Sequence, residues 1–158
     1  MMGRALLILG WLSTLGIAAT AIIGYLLGTA IRSLTVHVLI GLIGSLLLLF
    51  AHCWVMFYLI GSGTAIKKAV TENQLDADLA ERTKAFKSRS YPWLMLAMAL
   101  IIATFVAGGA YVAGVGPSWI HEVLFYVTIG SQVYTLVMEG QVLRANEHLM
   151  TEINDLLA

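Results

Sequence analysis

Charge is what this chain has least of: 11% of its 158 residues are charged, where a soluble domain carries about a quarter. A water-facing shell cannot be built from so little. Basic and acidic residues balance at nine each, so the basic excess that nucleic-acid binding calls for is missing. A single cysteine, Cys53, excludes an intramolecular disulfide framework. There is no glycine-rich phosphate loop, nucleophile elbow, H-E-x-x-H pair or CxxC, and therefore no visible machinery for catalysis on a water-borne substrate. His121-Glu122 alone is not a zinc motif. No low-complexity tract is present, and no sequence-level repeat is visible between the two hairpins. Arg4 precedes an apolar run, but that run is long for a signal peptide and lacks a small-residue cleavage site, so it reads as a retained anchor.

What is abundant is oil: 59% of the residues are hydrophobic. Four stretches, 5–28, 36–60, 93–115 and 119–142, reach the length of about 20 apolar residues that a helix needs to cross a bilayer. Short links join the first to the second and, through Gly116-Pro117-Ser118, the third to the fourth, which forces antiparallel neighbours. The expected fold is a single all-α domain, a four-helix transmembrane bundle of two antiparallel hairpins with short helical cytoplasmic extensions.

Residues 61–91 form the polar connection and hold Lys67, Lys68, Arg82, Lys84, Lys87 and Arg89, six of the nine basic residues. Positive residues in short loops stay cytoplasmic, so the N- and C-termini are expected on that side and Arg32 outside. The lack of organelle signals makes a bacterial inner membrane the simplest setting. Thr71-x-x-Gln74 has the form of a capping box and predicts a short amphipathic helix within this loop. Pro92, between Tyr91 and Trp93, suits the first turn of the third membrane helix. The tail 143–158 continues the apolar spacing through Leu149, Ile153 and Leu157, a stripe expected to bury against the loop helix or another subunit.

Membrane helices associate through small residues. Gly10, Thr14, Ala21, Gly24 and Gly28 make one such seam, and Ala99, Ala103, Ala107, Ala110 and Gly114 another. On the fourth helix His121, Thr128, Gln132, Thr135 and Glu139 share a narrow face. This polar stripe cannot face lipid and must point inward, toward a water-lined path or toward a neighbouring subunit. On the second helix His37 and His52 are fifteen residues apart, about 60° around the axis and ~22 Å along it, with Gly41 and Gly44 between them.

His37 and His121 each sit near the outer start of a helix, hence at one depth. Two imidazoles so placed can supply both axial ligands of a haem, with Gly41 and Gly44 leaving room for the macrocycle. The arrangement resembles that of di-haem membrane cytochromes, without a shared motif. A second haem would need a partner opposite His52, where only Met138, Met95 or Met98 are at hand.

The functional expectation is a membrane redox subunit: haem b on His37 and His121, which are also the metal ligands, and Thr128, Gln132, Thr135 and Glu139 along a quinone or proton route. Two readings stay beside it. One is a non-catalytic accessory or scaffold subunit of a larger complex, with partner subunits on the stripe. The other is a homo-oligomeric channel or transporter. Simpler roles also exist for single residues: an interfacial histidine bonded to a carbonyl, His52 bonded to Ser13 or Thr14, Glu139 paired with a loop lysine or arginine. His52, Cys53 and Met56 could hold a soft metal, although Cys53 is turned about 100° away.

Overall fold

A computed structural model describes residues 2–27 and 31–158, with side chains described for 3–25 and 34–158. Gly28 and the side chain of Arg32, both used above, lie outside these. The described residues form four helices and no strand: α1 (Met2–Leu27), α2 (Ile31–Glu72), α3 (Asp78–Val112) and α4 (Ser118–Leu157). Three segments, Gly3–Tyr25, Leu34–Glu72 and Asp78–Val112, are long and apolar enough to cross a membrane, which marks an integral membrane protein. Four such helices were expected. α4 falls short because its inward stripe of Thr128, Gln132, Thr135 and Glu139 dilutes an otherwise apolar run.

The polar connection is not a loop carrying its own short helix. α2 runs on to Glu72 and α3 starts at Asp78, so one tight turn replaces the expected loop. Thr71 does not cap a new helix; its hydroxyl donates back to the Lys67 carbonyl at 2.9 Å. α2 closes instead through Gln74, at φ 54, with the Leu75 N–H donating to the Val70 carbonyl at 3.0 Å, a left-handed C-terminal closure. The next helix opens where the Asp76 carboxylate accepts the Asp78 N–H at 2.9 Å, satisfying one of its free donors. Pro92 accordingly lies inside α3 and not in its first turn.

α1 packs on α2 and α4, α3 packs on α2 and α4, and α2 and α4 touch each other across the middle. Beyond the start of α1 the other three helices continue together. There Ile66, Val70, Leu79, Leu149 and Ile153 form an apolar cluster, braced by Arg82 on Glu152 at 2.8 Å. The expected tail stripe is thus covered by the chain's own α2 and α3, except Leu157, which is exposed.

The seam foreseen on the third helix is rotated. Along the apolar part of α3 Leu94, Ala97, Ile101 and Thr104 are buried, while Ala103, Ala107 and Ala110 are half-buried and Ala99 and Gly114 exposed. Polar partners on α4 decide this face: Gln132 donates to the Ala97 carbonyl and Thr128 meets Thr104. On α1 the foreseen seam is buried at Gly10 and Thr14.

The letters of the two halves show no repeat, as expected from the sequence, but their burial pattern does repeat. An offset of 84 residues carries Thr20, Gly24 and His37 onto Thr104, Gly108 and His121. The same offset carries buried Ser13, Ile17, Leu48, Leu59 and Ser62 onto buried Ala97, Ile101, Gln132, Leu143 and Asn146. Few of the identities agree, so the repeat shows in which positions are buried, not in the letters. Equivalent residues meet: Ser62 donates to Asn146 at 3.1 Å, and His37 faces His121. Residues related by a twofold operation touch only near its axis, so a pseudo-twofold axis runs between α2 and α4, parallel to them.

Candidate functional site

Two polar clusters lie along this axis. At one end, the His37 and His121 rings stand with centroids 6.2 Å apart and planes at 79°. Each ring is fixed by its own half of the molecule. His37 donates from Nδ1 to the Thr20 carbonyl at 2.8 Å, and His121 from Nδ1 to the Thr104 carbonyl at 3.0 Å. Donation from Nδ1 fixes the tautomer, leaving each Nε2 as the nitrogen with a lone pair.

Glycines make this approach possible. A Cβ at Gly24 would stand 3.3 Å from His37 Nδ1, and one at Gly108 would stand 2.9 Å from His121 Cε1. Each glycine is four residues beyond the accepting carbonyl, so the ring lies flat in a groove of the adjoining helix. Of the glycines singled out from the sequence, Gly41 has open space where a Cβ would stand. Gly44 serves helix packing, with a Cβ position 2.9 Å from Ile17 Cγ1.

The second cluster lies further along the axis, toward the charged end. His52 is fully buried, with Nδ1 2.6 Å from a Glu139 carboxyl oxygen. Its Nε2 lies 2.7 Å from Gln132 Oε1. Gln132 is itself oriented, because its amide nitrogen donates to the Ala97 carbonyl at 3.1 Å. Its oxygen must therefore face the ring, and Nε2 carries a proton. One further proton is shared between Nδ1 and the carboxylate, in a pair with side chains 0% and 2% exposed. Without it, a ring lone pair would face a carboxylate at contact distance.

This pairing replaces two sequence expectations. Glu139 pairs with an imidazole and not with a loop cation. His52 bonds neither Ser13 nor Thr14: Thr14 donates to the Gly10 carbonyl, and Ser13 Oγ has no partner among the described residues. Thr135, on the same face as Gln132 and Glu139, is fully buried, and its hydroxyl is likewise unpartnered there. Thr128, the last of the stripe, bonds Thr104 at 2.6 Å and the Leu100 carbonyl at 3.2 Å.

Cys53 does not join His52 in a soft-metal site: it is exposed, 3.7 Å from Met98 Sδ, while His52 is buried in the core. Among the described residues no group of three or more His, Cys, Asp or Glu gathers as a metal cluster. Met138, considered opposite His52, sits in an apolar cluster with Val55 and Leu94. Met95 is exposed.

No family model, curated protein or solved structure matches the chain.

What the sequence reading missed is the support for each residue. Gly24 was assigned to helix packing, Gly108 was not singled out, and Thr20 and Thr104 went unnoticed. A signal existed in the repeated spacing Thr-x3-Gly-x12-His, which ties a carbonyl, a groove and a ring together in each half.

Proposed function

We propose that the chain is a membrane redox subunit that binds a b-type haem between His37 and His121 and exchanges electrons with a quinone. In this reading all four helices cross the bilayer as two antiparallel hairpins, α4 included, with both termini on the cytoplasmic side of a bacterial inner membrane. The inward stripe gives α4 a polar side only where it meets protein, which membrane helices tolerate.

The observation that carries the reading is the spacing of the two rings. An imidazole centroid lies about 1.1 Å from its Nε2 and metal–imidazole bonds run about 2.0 Å, so two rings on opposite sides of one metal ion stand ~6.2 Å apart. The ring centroids in the structure stand 6.2 Å apart. Nδ1–H donation to a backbone carbonyl is the usual outer-shell partner of a ligating histidine, since it sets the tautomer and raises the basicity of Nε2. Bound there, haem would supply one-electron chemistry; the protein's part is to hold both rings in fixed tautomers at a fixed separation.

The scaffold reading loses support from the tail, whose apolar stripe is largely covered within the chain. A channel along the stripe gains none, because Thr128, Gln132, Thr135 and Glu139 are all buried and closed off.

The test is an absorbance spectrum of the full chain purified in mild detergent after supplying haem. A reduced-minus-oxidised b-type band that is lost in His37→Ala and in His121→Ala is the expected result. Colourless, monodisperse protein would reject haem. If the band were absent but one soft metal ion bound per chain, with the same dependence on the two histidines, the pair would be a plain metal site instead.

A further inference from the structure

We propose that His52, Gln132 and Glu139 form a proton-binding site in the membrane interior, loaded from the charged end of the molecule by way of Ser62 and Asn146. Its coupling to electron transfer rests on the reading of His37 and His121 as a redox site; the proton site itself does not.

The internal repeat supplies a control that a single core histidine normally lacks. Moving each member of the cluster by 84 residues turns His52 into Leu136, Gln132 into Leu48 and Glu139 into Val55. These three are as deeply buried, at 1%, 0% and 1% exposure. The place related to it by the pseudo-twofold axis is therefore closed by three apolar side chains, Leu136 on α4 with Leu48 and Val55 on α2, so packing does not require polar ones here. An ionisable pair kept inside a membrane, where it is costly, at a position that its own duplicate fills with leucine and valine, is kept for its proton.

The geometry is that of a proton store. Gln132 holds one side of the ring and Glu139 the other, so proton gain or loss falls on the Nδ1 to carboxylate contact. Few other groups compete. α1 carries no titratable residue between Arg4 and Tyr25, nor does α3 between Tyr91 and Tyr111. Cys53 and Tyr58 are the neighbours on α2, Tyr134 and Arg144 those on α4, and the Tyr91 hydroxyl is held by the Met56 carbonyl at 3.0 Å. A route to water is marked by the buried pair of Ser62 and Asn146. It lies seven residues beyond Glu139 on the same face of α4, ~10 Å along the helix, toward the lysine-rich end.

Reduction of a group held by His37 and His121, by one electron from a quinol that becomes a semiquinone and releases its own proton to water, would favour uptake of one proton from the charged end onto the Glu139–His52 contact, which would change from carboxylate with neutral imidazole to the shared-proton form. Reoxidation by a quinone, which takes the electron, would favour return of that proton to water. At ~22 Å and an effective dielectric of about 20, one charge alters proton affinity at the other site about threefold.

Two measurements on the full-length protein test this. The first is an infrared difference spectrum between low and high pH. The expected signal is a carboxylate of Glu139 that appears on proton loss, is absent in Glu139→Gln, and is absent in the triple variant His52→Leu, Gln132→Leu, Glu139→Val, which adopts the residues of the symmetry-related place. An unchanged spectrum in both variants would overturn the proton site, whether or not haem binds. The second is the midpoint potential of the loaded protein against pH. Wild type should shift by about 30 mV, the threefold change at 59 mV per decade, and the triple variant should be flat. An equal shift in the triple variant would overturn the coupling while leaving the first result to stand.

Discussion

Gly24 and Gly108 occupy equivalent places in the repeat but have unequal clearances, and alanine at each separates ring positioning from general packing. A Cβ at Gly108 would stand 2.9 Å from His121 Cε1 and 3.0 Å from Nδ1, where ordinary contact begins near 3.4 Å. The imidazole must retreat by about 0.5 Å, which stretches its 3.0 Å bond to the Thr104 carbonyl to the edge of hydrogen bonding. At Gly24 the clearance is already 3.3 Å, so His37 needs to move only about 0.1 Å and its 2.8 Å bond to Thr20 survives. Losing the outer-shell partner of a ligating histidine typically costs 10–100-fold in affinity. Gly108→Ala should therefore weaken haem loading by about that factor, and Gly24→Ala by less than about threefold. Titration of the purified protein with haem, followed by absorbance, reads both. Amide and ring 15N shifts of His121 report the same loss where no chromophore is present. Equal losses in the two variants, or none in Gly108→Ala, would refute the assigned role of the groove.

Three further outcomes follow from the packing. Glu139→Val alone strands a buried imidazole and should destabilise the protein by about 3 kcal/mol, whereas the triple apolar variant should recover most of that loss; denaturation in mixed micelles compares them. Gly10→Ala would place a Cβ 2.5 Å from Leu136 Cδ2 and should cost about 1–3 kcal/mol by overpacking, measured by thermal unfolding. Arg82→Ala removes an ion pair whose two side chains are each 36% exposed, so its effect in the same assay should stay below about 1 kcal/mol.

Much of the candidate site could be read from spacing alone. Apolar length located the helices, and the common starting depth of the second and fourth brought His37 level with His121. The narrow face of Thr128, Gln132, Thr135 and Glu139 could be assigned inward because lipid offers such groups no partner. Their partner could not be named in advance. Glu139 had several cations within chain reach, and choosing His52 required knowing that α2 and α4 meet across the middle. The loop assignment failed for a related reason: Thr71-x-x-Gln74 looks like a helix start locally, but Leu79 has buried partners in Ile66, Val70, Leu149 and Ile153 only if both helices run on and the turn is short. The repeat escaped notice because membrane cores accept many apolar side chains at one position, so two halves can share a burial pattern and few letters.

By itself the sequence determined that this is a helical membrane protein and which faces of its helices are polar, because hydrophobic length and 3.6-residue periodicity depend on nothing beyond the local chain. Only the tertiary structure decided which polar groups pair, which glycines receive a ring, and that one place beside the axis is apolar where its counterpart gathers His52, Gln132 and Glu139. Those choices depend on the register between helices far apart in the chain, and register is fixed by close packing across the axis.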